Sequence, residues 1–91
     1  MSATNPPSDD TPIGDVPNLG PASVRMLSAV DIRTAGDLRR LGPDLVFRML
    51  RESRIDVSVN MLYAMAAGIQ GRHWLDLTRN EREELKREIE D

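Results

Sequence analysis

Apolar residues recur along most of the chain at spacings of three and four, which is the pattern of helices with one buried face. The most continuous stripe begins at Leu62 and runs through Met65 to Ile69. Strict alternation of apolar and polar residues occurs only over residues 55–59, and with no partner strand we interpret that segment as a connection. The pattern therefore predicts an all-α fold of about five short helices.

Local signals predict where these helices begin and end. Starts are expected where a proline or a capping side chain precedes an apolar segment: at Pro12, Pro21, Thr34, Pro43, Ser58 and Thr78. The helix that begins at Pro21 should run to about Val30, with Asp31 in a left-handed conformation behind it. Thr34 and Asp37 have the spacing of a capping box, and Gly42 should end the helix that follows. Residues 1–10 contain two prolines and no large apolar residue after the first, which predicts a disordered lead before a helical domain over residues 11–91.

Composition narrows the possible functions. The chain has 91 residues, one histidine and no cysteine, so we expect one small domain without disulfides, a structural metal or a cofactor. Neither a nucleophile with its base nor a cluster of carboxylates is evident, and the chain is therefore not expected to be an enzyme or to take a small-molecule substrate. No apolar segment is long enough to cross a membrane and no signal peptide is recognisable, so a cytoplasmic location is expected. Trp74 is predicted to be largely buried, as a plug that holds the last helix on the core.

The charge distribution is uneven. The formal net charge is −3, but residues 16–77 contain eight arginines and six acidic residues, a local balance of 8 − 6 = +2. Arg39 and Arg40, together with arginines on the next helix, could face phosphates. An ordinary solvated helix face explains the same residues and is the interpretation we favour for that set.

One segment resembles a known motif. Residues 16–21, followed by Leu27, residues 32–34 and residues 37–38, resemble the hairpin of helix-hairpin-helix domains. Further matching segments follow at residues 38–42, 57–64, 71–77 and 84–85. In this order they resemble the C-terminal domain of the TfoX (Sxy) family of bacterial competence regulators, over roughly residues 13–85. The resemblance implies an all-helical domain with a helix-hairpin-helix-like core and a role in transcription regulation. Family members also carry an N-terminal α/β domain, so this chain is expected to be a stand-alone version of the C-terminal one.

The hairpin is the candidate binding site. In such a motif, the free backbone N–H groups at the start of the second helix, together with the helix dipole, hold a phosphate. The predicted contact set is Asn18, Leu19, Gly20, Ala22, Ser23, Arg25, Arg39 and Arg40. Asn18 stands where DNA-binding hairpins usually have glycine. The first hypothesis is therefore a non-enzymatic regulatory module with weak, sequence-independent contact to duplex DNA. The alternative is a protein-interaction module that docks a regulatory protein or the transcription machinery through the same hairpin or a methionine-containing face.

Overall fold

A computed structural model describes residues 5–90 of the chain, which form five α-helices and two 3₁₀ turns. The helices are α1 (Pro21–Ser28), α2 (Ala35–Leu41), α3 (Pro43–Glu52), α4 (Val59–Gly68) and α5 (Arg79–Ile89). The 3₁₀ turns are Ile13–Asp15, before α1, and Trp74–Asp76, between α4 and α5. The predicted all-α fold is confirmed: within the described range, strand-like pairing is limited to an isolated bridge between Pro12 and Thr34.

The predicted helix starts and ends agree closely with the structure. The Thr34 hydroxyl accepts a hydrogen bond from the Asp37 N–H at 3.2 Å, and the Asp37 carboxylate accepts one from the Thr34 N–H, which completes the capping box. Ser58 precedes α4 as predicted, but its side chain forms no capping hydrogen bond. Helix α1 ends at Ser28, two residues before the predicted end, and Asp31 has the expected left-handed conformation (φ 65°). Gly42 (φ 92°) alone connects α2 to α3.

The core lies around α4, which packs against α3, α5 and the second 3₁₀ turn. One leucine in each of the first four helices is fully buried: Leu27, Leu38, Leu50 and Leu62. Burying such a leucine contributes about 1.5–3 kcal/mol, so these four side chains contribute substantially to the stability of a domain this small. None of the helices over residues 5–90 is long and apolar enough to cross a membrane.

Residues 9–13 lie along the beginning of α2, whereas Asn5 lies next to Gly71. The carbonyl oxygens of Asp9 and Thr11 accept hydrogen bonds from the Gly36 and Ala35 N–H groups, at 3.0 and 2.8 Å. These are donors that the first turn of a helix cannot satisfy by itself. The predicted disorder of residues 1–10 stays a prediction: residues 1–4 lie outside the described range, and these contacts argue against it for part of the remainder.

Two arginines of α3 have a structural role. Arg48 donates to the Glu88 carbonyl oxygen, and Arg51 donates to that of Ile89 at 3.1 Å. The guanidinium of Arg51 also lies 5.1 Å from the centre of the Phe47 ring. These cations therefore bind the unsatisfied carbonyl groups and negative dipole at the end of α5. They do not form the free phosphate-facing surface considered from the sequence.

Candidate interaction site

The hairpin turn is built on a short first arm. Residues 16–20 connect the three-residue 3₁₀ turn to α1, and the Leu19 N–H donates to the Val16 carbonyl oxygen at 3.2 Å. Leu19 is only 5% exposed, so it belongs to the core and not to an outer contact surface. The element is thus a helix-hairpin-helix-like turn whose first helix is reduced to a single 3₁₀ turn.

Asn18 has an unusual conformation and three hydrogen bonds. Its φ of 74° is left-handed, a conformation that Asn tolerates better than most non-glycine residues. Its amide nitrogen donates to the carbonyl oxygens of Ala64, at 3.3 Å, and Arg72, at 2.9 Å. Its amide oxygen accepts from the Trp74 N–H at 3.2 Å. The side chain therefore ties the hairpin to α4 and to the second 3₁₀ turn.

The first turn of α1 is the part of the predicted contact set that stays accessible. The first helical backbone bond there joins the Val24 N–H to the Gly20 carbonyl oxygen at 3.0 Å, so the N–H groups of Ala22 and Ser23 have no backbone acceptor within residues 5–90. Arg25 is exposed and forms no ion pair with any described residue. The two N–H groups and the Arg25 guanidinium could together bind one phosphate.

The other two predicted cations are engaged elsewhere. Arg39 binds the Asp9 carboxylate and donates to the carbonyl oxygens of Pro7 and Ile69, both at 2.8 Å. Arg40 lies 2.8 Å from the Asp37 carboxylate. The Arg33 backbone N–H, with help from Arg40, lowers the pKa of Asp37 below its usual range, so the carboxylate stays charged and paired. The structure therefore shows no contact that brings Arg39 or Arg40 to the hairpin.

A groove, called here the α1–α4 groove, opens beside the hairpin with a volume of about 470 Å³. The hairpin, α1, α4, the connection before α4 and the second 3₁₀ turn all contribute to its wall. The lining residues are Asn18, Ser23, Met26, Asp56, Val57, Ser58, Asn60, Met61, Ala64 and Trp74. Most of this surface is apolar, and Asp56 is the one ionisable side chain in the lining. A methionine-containing face was considered from the sequence, but no local signal indicates that α1 and α4 lie side by side.

Trp74 forms one wall of this groove and is intermediate in burial, so it keeps an accessible face and is not a fully enclosed plug. Leu77, three residues later, is buried in the core at 5% exposure. The Arg82 guanidinium lies 5.6 Å from the Trp74 ring centre and 5.8 Å from that of Tyr63, which fixes the indole by cation–π contacts. Leu75, the next residue in the chain, is 61% exposed.

A salt bridge anchors the segment that carries Trp74. Arg72 donates to both carboxylate oxygens of Glu81, at 2.8 and 3.0 Å, and to the Asp76 carbonyl oxygen at 2.7 Å. The Arg72 hydrogen bond, supplemented by the Thr78 N–H, lowers the pKa of Glu81 from 4.5 to about 2. His73 is exposed and its Nδ1 accepts from the Leu75 N–H at 3.1 Å, a purely local contact.

Within residues 5–90, no three histidine, cysteine, aspartate or glutamate side chains are arranged to hold a metal ion. The chain also contains an internal similarity that was not predicted: residues 19–21 and 41–43 both read Leu-Gly-Pro, and each set leads into a helix. At the second turn the Asp44 carboxylate lies 3.0 Å from where a Gly42 Cβ would stand, so negative charge already occupies the beginning of α3. This second turn is unsuited to a phosphate.

The fold and the hairpin together define an all-helical domain with a helix-hairpin-helix-like element. The profile of the TfoX C-terminal domain matches residues 10–89, and the chain belongs to that family. Two crystal structures from Listeria monocytogenes have the same fold. An uncharacterised protein in a triclinic form has a TM-score of 0.77 and 28% identity, and the match covers 84% of this chain and 86% of that one. A protein of unknown function in a tetragonal form has a TM-score of 0.76 and 28% identity, covering 82% and 93%. No curated protein matches the chain.

Proposed function

We propose that this chain is a regulatory domain that acts by docking a segment of a protein partner in the α1–α4 groove. Membership of the TfoX C-terminal family suggests a competence-related regulatory domain. The observation that carries the docking proposal is the largely apolar groove formed by Met26, Met61 and Trp74. Met26 and Trp74 stay partly accessible, whereas Met61 is only 8% exposed. Accessible methionine and tryptophan side chains are typical of protein-binding surfaces.

The electrostatics of the hairpin favour a protein over DNA as the main partner. Of the three cations predicted to contact phosphates, Arg39 and Arg40 already have carboxylate partners, and only Arg25 is left. DNA affinity without base contacts depends on the number of phosphates that cations neutralise. A single arginine on a chain with a net charge of −3 supplies little of that energy.

The proposed role is non-enzymatic. Asp56 has no second ionisable side chain beside it in the lining of the groove, whereas general acid–base catalysis requires positioned titratable groups. The groove is also open, and an apolar open surface is better suited to a protein side chain than to the enclosed chemistry of a small substrate.

Site-specific photocrosslinking in the cells that express this protein tests the proposal. A photoreactive phenylalanine analogue replaces Asn60, which is exposed at the groove, or Asn80, which is exposed on α5 and serves as the control. We expect one protein to be crosslinked from position 60 and not from position 80. Adding Ala64→Arg, which fills the groove with a long side chain, should abolish the crosslink. Equal crosslinking from both positions, or a product that survives Ala64→Arg, would contradict docking in the groove.

Weak contact with duplex DNA is the second candidate, favoured by the open N–H groups of Ala22 and Ser23 next to unpaired Arg25. Each neutralised phosphate adds about −0.9 to the slope of log affinity against log salt, so one or two phosphates predict a slope of about −1 to −2. Arg25→Glu should reduce that slope by about one unit, whereas Arg87→Glu, the same charge change on α5, should leave it almost unchanged. Binding that is undetectable at low salt with millimolar DNA phosphate would remove this candidate.

A further inference from the structure

The polar edge of the α1–α4 groove carries one unbalanced charge. Asp56 lies in the connection before α4, is exposed, and forms no ion pair with any residue between 5 and 90. The other polar lining groups, such as Ser58 and Asn60, are neutral. A ligand in the groove therefore meets one carboxylate and no cation among the lining residues, so a cationic ligand is favoured over an anionic one.

The floor of the same groove can accommodate different apolar side chains. Met26 and Met61 are unbranched and have three rotatable bonds, and thioethers adapt their shape more readily than leucine or valine. The Ser23 hydroxyl donates to the Met61 sulfur at 3.6 Å, which positions one of the two thioethers. Trp74 supplies a further part of the lining and is held by Arg82. This combination fits one apolar anchor of variable shape.

From these two features, and resting on the proposed docking function, we infer that the docked segment carries an apolar anchor side chain with a lysine or arginine close to it. The anchor occupies the methionine floor beside Trp74, and the basic side chain pairs with Asp56. Asp56 is thus the specificity-determining residue: it selects among apolar segments by charge and excludes acidic ones. The same carboxylate disfavours a phosphate in the groove, which separates this surface from the α1 turn considered for DNA.

Selection from a random peptide-display library tests this inference without knowledge of the partner. The whole chain is immobilised in three forms: wild type, Asp56→Lys, and Asp10→Lys, which makes the same charge change at an exposed position outside the groove. We expect wild type and Asp10→Lys to enrich peptides with an apolar residue and a nearby lysine or arginine. Asp56→Lys should instead enrich peptides that have aspartate or glutamate near the apolar residue.

Affinity measurements on the enriched peptides give the magnitude. Trp74 is the only tryptophan in the chain, so its intrinsic fluorescence reports on binding in the groove. Because Asp56 is exposed to solvent, Asp56→Asn should weaken the binding of a basic peptide by about two- to fivefold. As a control for folding, the far-UV circular dichroism spectrum and thermal midpoint of Asp56→Asn should match those of the wild type.

The outcomes separate this inference from the docking function on which it rests. Enriched peptides without a basic preference, or with an affinity that Asp56→Asn leaves unchanged, would overturn the charge selection. If their binding is still abolished by Ala64→Arg, docking in the groove stands. A library that yields no peptide at all also overturns the inference. In that case, the crosslinking experiment at position 60 tests the docking function by itself.

Discussion

Replacing Asn18 with alanine should be among the most destabilising single changes outside the core. The substitution removes two hydrogen bonds that the Asn18 side chain donates, to Ala64 and Arg72, and one that it accepts, from the Trp74 N–H. Each such bond contributes about 0.5–1.5 kcal/mol, and together they account for about 2–4 kcal/mol. Alanine at a φ of 74° adds a backbone penalty of about 1 kcal/mol relative to Asn. We expect a total loss of about 3–5 kcal/mol, a large share of the stability of a small domain.

Two companion substitutions separate the hydrogen bonds from the backbone conformation. Asn18→Gly removes the side chain but tolerates a positive φ, so it should be less destabilising than Asn18→Ala. Asn18→Asp can still accept from the Trp74 N–H, but it turns a carboxylate toward the carbonyl oxygens of Ala64 and Arg72. Loss of the two donated bonds and this repulsion should make Asn18→Asp at least as harmful as Asn18→Gly.

Urea unfolding followed by far-UV circular dichroism measures these differences. A loss of 3 kcal/mol corresponds to a fall in the thermal midpoint of about 12–24 °C for a domain of this size. A free energy of unfolding for Asn18→Ala within about 0.5 kcal/mol of the wild-type value would refute the structural role of this amide. It would also restore Asn18 as a candidate contact residue.

Three further predictions concern packing, pH and the N-terminal segment. Gly68→Ala should destabilise the fold by about 1–3 kcal/mol, because the new Cβ would lie 2.5 Å from the Pro17 carbonyl oxygen. Gly14→Ala, with an ordinary 3.5 Å contact, should stay near the wild-type midpoint; equal midpoints for the two variants would contradict this. The pKa of Glu81 is lowered from 4.5 to about 2. The contribution of the ionised Glu81 carboxylate to the free energy of unfolding is therefore complete above pH 4.5 and is lost as the pH falls toward 2. The midpoint difference between wild type and Glu81→Gln should therefore narrow over that interval, and a constant difference would count against the Arg72 pairing. Arg39→Gln should speed amide hydrogen exchange at Gly36, and unchanged exchange there would show that residues 7–9 are held by other contacts.

Much of the helical framework was predictable because its signals are local. The Thr34 capping box, the left-handed Asp31 and the Gly42 connection each depend on residues within a few positions, and all three appear as expected. Helical periodicity likewise identified α4 as the most apolar helix, and it lies at the centre of the core. The resemblance to the TfoX C-terminal domain, carried by short segments in a fixed order, was confirmed by the family match.

The candidate site depended on contacts between distant parts of the chain. The sequence determined which segments are helical and where they end, since capping and backbone preferences act over one turn. Only the tertiary structure decided that Asn18 bonds to residues 46 and 54 positions away, that Arg39 binds the segment before α1, and that Trp74 lines a groove. No local preference encodes these pairings, because each arises from how helices with interchangeable apolar faces pack against one another, and packing fixes which polar side chains find partners and which stay open.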